Sequence, residues 1–308
     1  MLFIMLALDK ISRLITDKDA RYIFLASRHM IPFDTDEKYI KHKYQFSTGE
    51  RLNLDSPVTF NEKMQWLKLH DRNPLYTSLV DKYEVKKIIN GVIGEEHIIP
   101  TLGVWDRFDD INFSSLPDKY VLKTTHDSGS VVIVKDRNEF DISKARKTIN
   151  RSLSRNFYFS GREWPYKNVA PRIIAEPYIT DESGKELKDY KVFVFNGKPY
   201  CIQVDYDRFI EHKRNFYSLD WEYIPFTTRY PTDPNHIIEK PDCLKELIEM
   251  SARLAVFIET PPFVRTDFYI NRSEIYFGEI TFYHGSGYEK FIPDTYGKIL
   301  GDMIVLEG

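Results

Sequence analysis

Residues 264 to 281 read VRTDFYINRSEIYFGEIT. Two runs of β-branched and aromatic residues, Val264 to Ile270 and Ile275 to Thr281, flank the polar segment Asn271-Arg272-Ser273-Glu274. That pattern predicts a hairpin. Yet a carboxylate sits inside each strand, Asp267 in the first and Glu279 in the second. Side chains alternate faces along a strand. Arg265, Asp267 and Tyr269 are therefore expected on one face, and Phe277, Glu279 and Thr281 on one face. An odd-length loop centred on Ser273 sets Asp267 opposite Glu279 and Arg265 opposite Thr281. Opposed positions hold their Cβ atoms roughly 5 Å apart, where like charges repel. A divalent cation between the two acids resolves the conflict. Magnesium suits such a pair, since it takes one or two carboxylates together with substrate phosphates. Two plainer arrangements stay open: an ion pair with Arg265, or a slipped register that turns the acids to solvent.

The whole chain has 308 residues, enough for two modest domains or one composite fold of several lobes. Hydrophobic residues make up 42% and aromatics 15%, which supplies a sizeable core and argues against disorder. The net charge of -3 lacks the basic excess of a nucleic-acid binder. Two cysteines, Cys201 and Cys243, do not make a disulfide framework and point to a reducing compartment. The first residues, MLFIMLALDKISRLI, open on an eight-residue apolar run, too short to span a bilayer. No basic residue precedes it and no small-residue cleavage site follows, so no signal peptide is expected. The run predicts a helix that docks on the core or rests on a membrane surface.

Residues 1 to about 80 read as helical. In SPVTFNEKMQWLKLHDRN, residues 56–73, Thr59 or Asn61 serves as a cap before Met64, Leu67 and Leu69. No strand–helix alternation appears there, so no Rossmann-like leading domain is expected. Strand-like runs follow in HIIPTLGVW, YVLKTT and SVVIVKD, then a charged helix near 143 to 157, then PRIIAEPYI and DYKVFVFNGKPYCIQVDY. Residues 242–259 show helical periodicity through Leu244, Leu247, Ile248, Leu254 and Ala255. Helices and sheets mix without βαβ repetition, so the class is α+β.

Lysines embedded in strands mark further chemistry. In YVLKTTHDSGSVVIV, residues 120–134, Lys123 ends an apolar run just before the small loop His126-Asp127-Ser128-Gly129-Ser130. Such a loop can fold over phosphates with its backbone N–H groups while the lysine meets their oxygens; a surface hairpin has the same composition. Lys191 opens the strand DYKVFVF, where a lone lysine also serves as an edge gatekeeper. In VDYDRF, Asp205 and Asp207 stand two apart, the acid pair with which many glycosyltransferases hold a metal and a sugar nucleotide; a solvated strand face has the same spacing. The histidines show no zinc-like spacing, and neither cysteine sits in the context of an activated nucleophile.

In order, these pieces resemble the ATP-grasp superfamily. Lys86 in DKYEVKK resembles its first nucleotide lysine. Lys123 with Ser128, Gly129 and Ser130 resembles the second lysine and the phosphate loop. Glu176 and Tyr178 in RIIAEPYI stand where the adenine hinge lies. The resemblance implies that Arg265 stabilises the transferring phosphoryl group and that Asp267 and Glu279 hold magnesium. The superfamily commonly has asparagine two residues after that glutamate; here Thr281 stands instead. Longer strings are similar to the TupA-like ATP-grasp proteins of bacterial surface-polysaccharide clusters. They are LNLDSPVTFNEKMQWLKLHDRNPLYTSLVDKYEVKKII, IIPTLGVWDRFDDI, GREWPYKNVAPRIIAEPYI, DYKVFVFNGKP and YFGEITFYHGSGYEKF. That similarity adds Lys191 as a phosphate ligand.

The resemblance implies an ATP-grasp fold in three parts: a helical region 1–80, a first lobe 81–178 with the phosphate loop, and a second lobe 179–308 with the metal hairpin. It implies ATP and Mg2+ as cofactors, and a carboxylate–amine ligase working through an acyl phosphate. The expected substrates are a uronic acid of a bacterial surface polysaccharide, or its precursor, and an amine or amino acid. A glycosyltransferase using Asp205 and Asp207, or a sugar kinase on the same grasp, are the alternatives. Arg162, Trp164, Tyr166, Arg208 and Arg214 offer a basic and aromatic groove for an anionic glycan, or merely a solvated surface. The expected location is cytoplasmic, with the N-terminal helix as a contact to the inner face of the membrane. No nucleic-acid partner is expected, and the oligomeric state stays open.

Overall fold

The computed structural model describes residues 15–27, 30–31, 35–181, 184, 187–208 and 210–306. The apolar run at the start of the chain, with its expected docking or membrane helix, lies outside them. Among the described residues no helix is long and apolar enough to cross a membrane.

Among the described residues five helices lead: α1 (Lys18–Ala26), α2 (Asp36–Thr48), α3 (Phe60–His70), α4 (Leu75–Val80) and α5 (Glu84–Ile93). Of the two caps offered at α3, Thr59 is the one used. Its hydroxyl accepts from the Glu62 N–H while the Glu62 carboxylate accepts from the Thr59 N–H, a reciprocal capping box.

Two antiparallel sheets follow. The first has the order β1-β4-β2-β3, from β1 (Gly103–Trp105), β2 (Tyr120–Thr124), β3 (Val131–Val134) and β4 (Ile173–Pro177). Helices α6 (Ile142–Leu153) and α7 (Tyr158–Gly161) lie between β3 and β4 in the chain. The second sheet has the order β10-β9-β5-β6-β7-β8. Its strands are β5 (Asp189–Phe195), β6 (Lys198–Tyr206), β7 (Lys213–Ser218), β8 (Tyr223–Ile224), β9 (Phe263–Asn271) and β10 (Glu274–Thr281). Helix α8 (Leu244–Phe257) precedes β9, and α9 (Thr295–Asp302) ends the fold. The class is α+β, as the absence of βαβ repetition predicts.

Each sheet has its own core. In the first, Leu122, Ile173 and Ala175 pack against Ala145 and Ile149 of α6. The larger core joins the second sheet to α8 and also takes in Phe60, Met64, Tyr76, Val85 and Ile89 from α3, α4 and α5. The apolar faces of α3 to α5 find their partner on the second sheet, 100 residues or more later in the chain.

One face of that sheet changes character along its strands. On β5, Asp189 and Lys191 precede Phe193 and Phe195; on β9, Phe263 precedes Arg265 and Asp267. The phenylalanine end is roofed by α3, where Phe60 meets Phe263 edge-on with ring centroids 5.0 Å apart. The other end of the face carries the buried charged residues Asp189, Lys191, Arg265 and Asp267.

The hairpin β9–β10 pairs Asp267 with Glu279 and Arg265 with Thr281, as expected, but by another route. Asn271 pairs with Glu274, so the turn is the two-residue Arg272-Ser273, with Arg272 at positive φ. A β-bulge between Phe277 and Glu279 then adds the odd residue. Phe277 consequently pairs with Phe268 and is buried in the core, on the face opposite Glu279; the expectation that the two share a face is corrected. Gly278 occupies the bulge, where a Cβ would stand 3.0 Å from the Asp267 carbonyl.

Candidate active site

The carboxylate of Asp267 is the centre of the hairpin side. Arg265 grips it from two residues away, Nε to Oδ1 and Nη2 to Oδ2, both at 2.7 Å. Lys191 crosses from β5, where it is paired with Asp267, and donates to Oδ2 at 2.6 Å. Burial pushes the Asp267 carboxyl up, but the charges of Arg265 and Lys191 outweigh it and hold the group below its ordinary range. Lys191 also lies 3.3 Å from Asp189; burial works against its charge, yet the two carboxylates raise it. Arg265 donates further to the Thr281 hydroxyl at 3.1 Å and to His284 Nδ1 at 2.7 Å. An arginine only donates, so His284 accepts at Nδ1 and carries its proton on Nε2. Burial and then the charges of Arg265 and Arg214 push His284 well below its ordinary value, which keeps it neutral.

Glu279 stands apart from this knot. Its carboxylate approaches Arg265 Nη2 only to 3.6 Å and is about one-third exposed, 35% against 4% for Asp267. The Arg265–carboxylate ion pair left open by the sequence is thus formed with Asp267, while Glu279 keeps its oxygens for another partner.

The first sheet carries the second cluster. Val121 pairs with Glu176 and Lys123 with Ile174, which puts the Lys123 and Glu176 side chains on one face of the sheet. Lys86 reaches over from α5, and Glu176 is bound by both ammonium groups at 2.5 Å each, Oε1 to Lys86 and Oε2 to Lys123. Burial raises the Glu176 carboxyl, but the two lysines overcome it and bring it down to about 2. Lys86 is lowered by its own burial, against the pull of Glu176. Its other hydrogen bonds go to the Ile99 carbonyl and the Thr101 hydroxyl. Glu176, expected as an adenine contact, thus turns its carboxylate to the lysines.

Beside this trio opens a cleft of about 310 Å³. Ile99, Val121, Val131, Ile133, Ile179 and Leu187 make it apolar; Tyr178 lines it as well, with Lys123 and Glu176 as polar groups. Arg208, in the loop after β6, and Tyr269 of β9 complete the wall, so the cleft lies between the two sheets. Tyr269 links the two clusters: burial first, then the charges of Asp189, Glu279 and Glu176, push its hydroxyl well above the ordinary value.

Gly129, at positive φ, also lines the cleft and places the small loop at its rim. Asp127 anchors that loop. Its carboxylate accepts from the hydroxyls of Thr124, Ser130 and Ser152, while Lys82 donates to its carbonyl. Ser130 is thereby committed to Asp127, and Ser128 and Gly129 form the tip of the turn.

The other acid pair is used differently. Asp205 is buried and receives Arg214, Nε to Oδ1 at 2.7 Å, and the Gln203 amide. Asp207 lies beyond the end of β6 at positive φ. Nor do the five basic and aromatic residues form one groove. Arg162 is buried over the Tyr39 ring, Arg214 serves Asp205, and Arg208 pairs with Asp189 beside the cleft. Sequence reasoning missed Asp189 and His284. Asp189 stands two residues before Lys191, on the same strand face, a signal that was readable. His284 lies in the glycine-rich turn after β10, where Gly285, Ser286 and Gly287 all have positive φ; its approach to Arg265 has no local signature.

The donor set suits a cation that needs few protein oxygens. Among the described residues no group of three or more histidine, cysteine, aspartate or glutamate side chains converges to cage a metal. Glu279 has accessible oxygens, Asp267 Oδ1 takes a single donor, and the Thr281 hydroxyl lies alongside. That composition fits magnesium, which keeps most of its shell from phosphates and water.

Residues 62–305 match the protein-family model described as TupA-like ATPgrasp. Among curated proteins none matches significantly. Among solved structures, a D-alanine–D-alanine ligase from Bacillus anthracis complexed with ATP is 19% identical (TM-score 0.42), the match covering 79% of this chain and 66% of that one. An L-amino acid ligase from Bacillus licheniformis is 13% identical (TM-score 0.46), covering 90% and 64%. An N5-carboxyaminoimidazole ribonucleotide synthetase in complex with ADP is 14% identical (TM-score 0.45), covering 80% and 57%. The chain spans less than two thirds of the length of each.

Proposed function

This chain belongs to the TupA-like ATP-grasp family, and from that premise we propose that it is an ATP-dependent carboxylate–amine ligase. The observation that carries the reading is the apolar cleft between the lobes, with Lys86, Lys123 and Glu176 on one side and Lys191, Arg265, Asp267 and Glu279 beyond Tyr269 on the other. An apolar slot suits a purine base. Clustered cations suit a polyphosphate, whose transfer needs positioning and neutralisation of spreading charge more than it needs a nucleophile on the protein.

The residues divide the work as follows. Ile99, Val121, Ile133 and Tyr178 hold the base. Lys86 and Lys123 exchange part of their hold on Glu176 for phosphate oxygens, and the backbone of Ser128 to Ser130 covers them. The substrate carboxylate attacks the terminal phosphorus, the bond to ADP breaks, and an acyl phosphate forms. Arg265 and Lys191, kept charged and in place by Asp267, stabilise the negative charge of that transfer. The amine then attacks the acyl carbon, phosphate leaves with the bonding pair, and the amine proton passes to solvent. Magnesium, held by Glu279, Asp267 and Thr281, would supply charge neutralisation on the phosphates. Cys201 and Cys243 take no part: both are buried, and burial raises both thiols.

The substrates follow from the resemblance: a uronic acid of a bacterial surface polysaccharide or its precursor, and an amine or amino acid. The reaction would then take place in the cytoplasm. The burial of Asp205 against Arg214 leaves no observation favouring the sugar-nucleotide alternative. Hydroxylamine provides the test. A ligase given ATP, magnesium, a uronic acid and hydroxylamine accumulates hydroxamate together with ADP. ADP with a stable phosphate ester and no hydroxamate would instead identify a kinase, and absence of ADP would remove both.

A further inference from the structure

We infer that Gln65 and Lys68 of α3 are positioning residues for Arg265, acting through the turn that carries His284. The inference rests on the ligase reading above for the task it gives Arg265. Asn61, Gln65 and Lys68 follow one another at intervals of four and three residues, which puts them on one face of α3. All three are buried, Gln65 and Lys68 completely. They run beside Phe60, Met64 and Leu67, which belong to the larger core. None of the chemistry above uses this polar stripe.

The stripe turns its donors to the main chain of one turn. Asn61 Nδ2 donates to the Glu289 carbonyl at 2.8 Å. Gln65 Nε2 donates to the carbonyls of Ser286 at 3.1 Å and Gly287 at 2.7 Å. Lys68 Nζ donates to the Ser286 carbonyl at 2.7 Å, to the Ser286 hydroxyl at 3.0 Å and to the Gly161 carbonyl at 2.8 Å. Gln65 Oε1 accepts from the same ammonium at 3.0 Å, and the Tyr288 ring lies 4.3 Å from it. The charge of Glu163 acts on Lys68 as well, but the hydrogen bonds go to backbone oxygens and their neighbours. Burying an ammonium is costly; here the cation joins α3 to two separate turns.

The clamped backbone needs such support. Gly285, Ser286 and Gly287 all have positive φ, a conformation that serine adopts at a cost and that surrounding contacts must hold. A Cβ on Gly287 would stand 2.4 Å from Gln65 Nε2, and one on Gly161 would stand 2.4 Å from the Ser286 hydroxyl. Only glycine permits either approach. His284 opens this turn, and its Nδ1 accepts from Arg265 Nη1 at 2.7 Å. Asp267 and Thr281 take the N–H groups of Nε and Nη2. Among the described residues Nη1 has His284 alone. His284 Nε2 in turn has no hydrogen-bond partner among them, so no second polar contact fixes the ring. The turn therefore sets where His284 points, and Gln65 and Lys68 set the turn.

Calorimetry of ADP and magnesium on the full chain, with and without orthovanadate, provides the test. Vanadate stands in for the transferring phosphoryl group, and the parent should bind ADP more tightly in its presence. Lys68→Met and Gln65→Met should each weaken ADP with vanadate about tenfold. Affinity for ADP alone should stay unchanged in both, which also reports that they fold. Gln65→Met leaves the buried charge in place and carries the test if Lys68→Met does not fold. His284→Asn sets an oxygen where Nδ1 stood and should keep the vanadate gain; His284→Gln sets it one bond further out and should lose it. Lys68→Met added to His284→Leu should lose nothing more, since residues acting through one contact are not additive. A full vanadate gain in either folded α3 variant, equal losses in His284→Asn and His284→Gln, or a further loss in the double variant would overturn the inference. So would a parent that binds ADP but gains nothing from vanadate. A parent that does not bind ADP would instead remove the ligase reading, and the task of the clamp with it.

Discussion

Arg265 holds Asp267 with two parallel hydrogen bonds along a single strand, although the alternation of the strand already places both on the face that carries Glu279. The repulsion expected between Asp267 and Glu279 is thus relieved by charge from the protein itself before any cation arrives. Asp267 orders the cations; Glu279 remains available.

The two acids should therefore fail differently when neutralised. Asp267→Asn leaves Arg265 and Lys191 buried without their shared counter-charge, which costs about 3–5 kcal/mol of stability. Glu279→Gln removes a partly exposed group with one loose contact and should change stability by about 0.5 kcal/mol or less. Both should abolish turnover, since both are proposed to hold magnesium at the transferring phosphate. Urea unfolding and ADP release on the same preparations check this. Equal stability losses in the two variants would show that Glu279 is structural as well.

Lys86, Lys123 and Glu176 bring together two ammonium groups and one carboxylate, a surplus of one positive charge that the proposed function assigns to a phosphate. Lys123→Ala should weaken ATP by about 2–3 kcal/mol, roughly 30-fold to 150-fold. Adding Glu176→Gln to Lys123→Ala restores the surplus and should recover part of the affinity, even though it removes a second native group. Calorimetry of the single and double variants gives the coupling directly. Additive losses would mean that Glu176 contacts the nucleotide rather than balancing the lysines.

Periodicity and chemistry made the strands, the hairpin and its opposed acids legible, because a strand's face pattern and a turn's residues are local. The bulge at Gly278 was not legible as such. A glycine before a glutamate reads as an ordinary strand residue, and the correct pairing of Asp267 with Glu279 came from a loop one residue too long. Resemblance singles out Lys86, and Lys123 stands out also by its place at the end of an apolar run before the small loop. Their meeting at Glu176 depends on α5 crossing the first sheet, which no spacing encodes. The packing of α3 to α5 on the second sheet escaped for the same reason: amphipathic helices declare a buried face but not its partner.

His284 should give stability a dependence on mild acid. Its folded-state value lies well below the ordinary 6.5, so the native protein keeps the ring neutral while the unfolded chain takes a proton as pH falls through 6.5. Stability is full above that value and declines below it, by up to about 1.4 kcal/mol per pH unit. His284→Asn keeps an oxygen to accept from Arg265 and cannot titrate. Between about pH 7.5 and about pH 5.5 the parent should lose about 1 kcal/mol more than the variant, measured by chemical denaturation. Parallel losses would place the ring in the protonated form and contradict its acceptance of the Arg265 N–H.

Glu176 should act lower on the scale and in the same direction. Its carboxyl is held down from 4.5 to about 2 in the folded protein. Above 4.5 both the folded and unfolded chains carry the charge, and the full advantage of the two lysines is present. As pH falls below 4.5 the unfolded chain is protonated first, and the advantage shrinks until about 2, where the folded protein also takes the proton. Between about pH 5.5 and about pH 3 the expected loss from this one group is about 2 kcal/mol. Glu176→Gln lacks the titration, so the stability gap between parent and variant should narrow by that amount over the window, while the carboxylates common to both cancel. Urea midpoints at several pH values supply the gap. A constant gap would show that Lys86 and Lys123 do not hold Glu176 in solution, and the preassembled lysine pair proposed to receive the nucleotide would have to be abandoned.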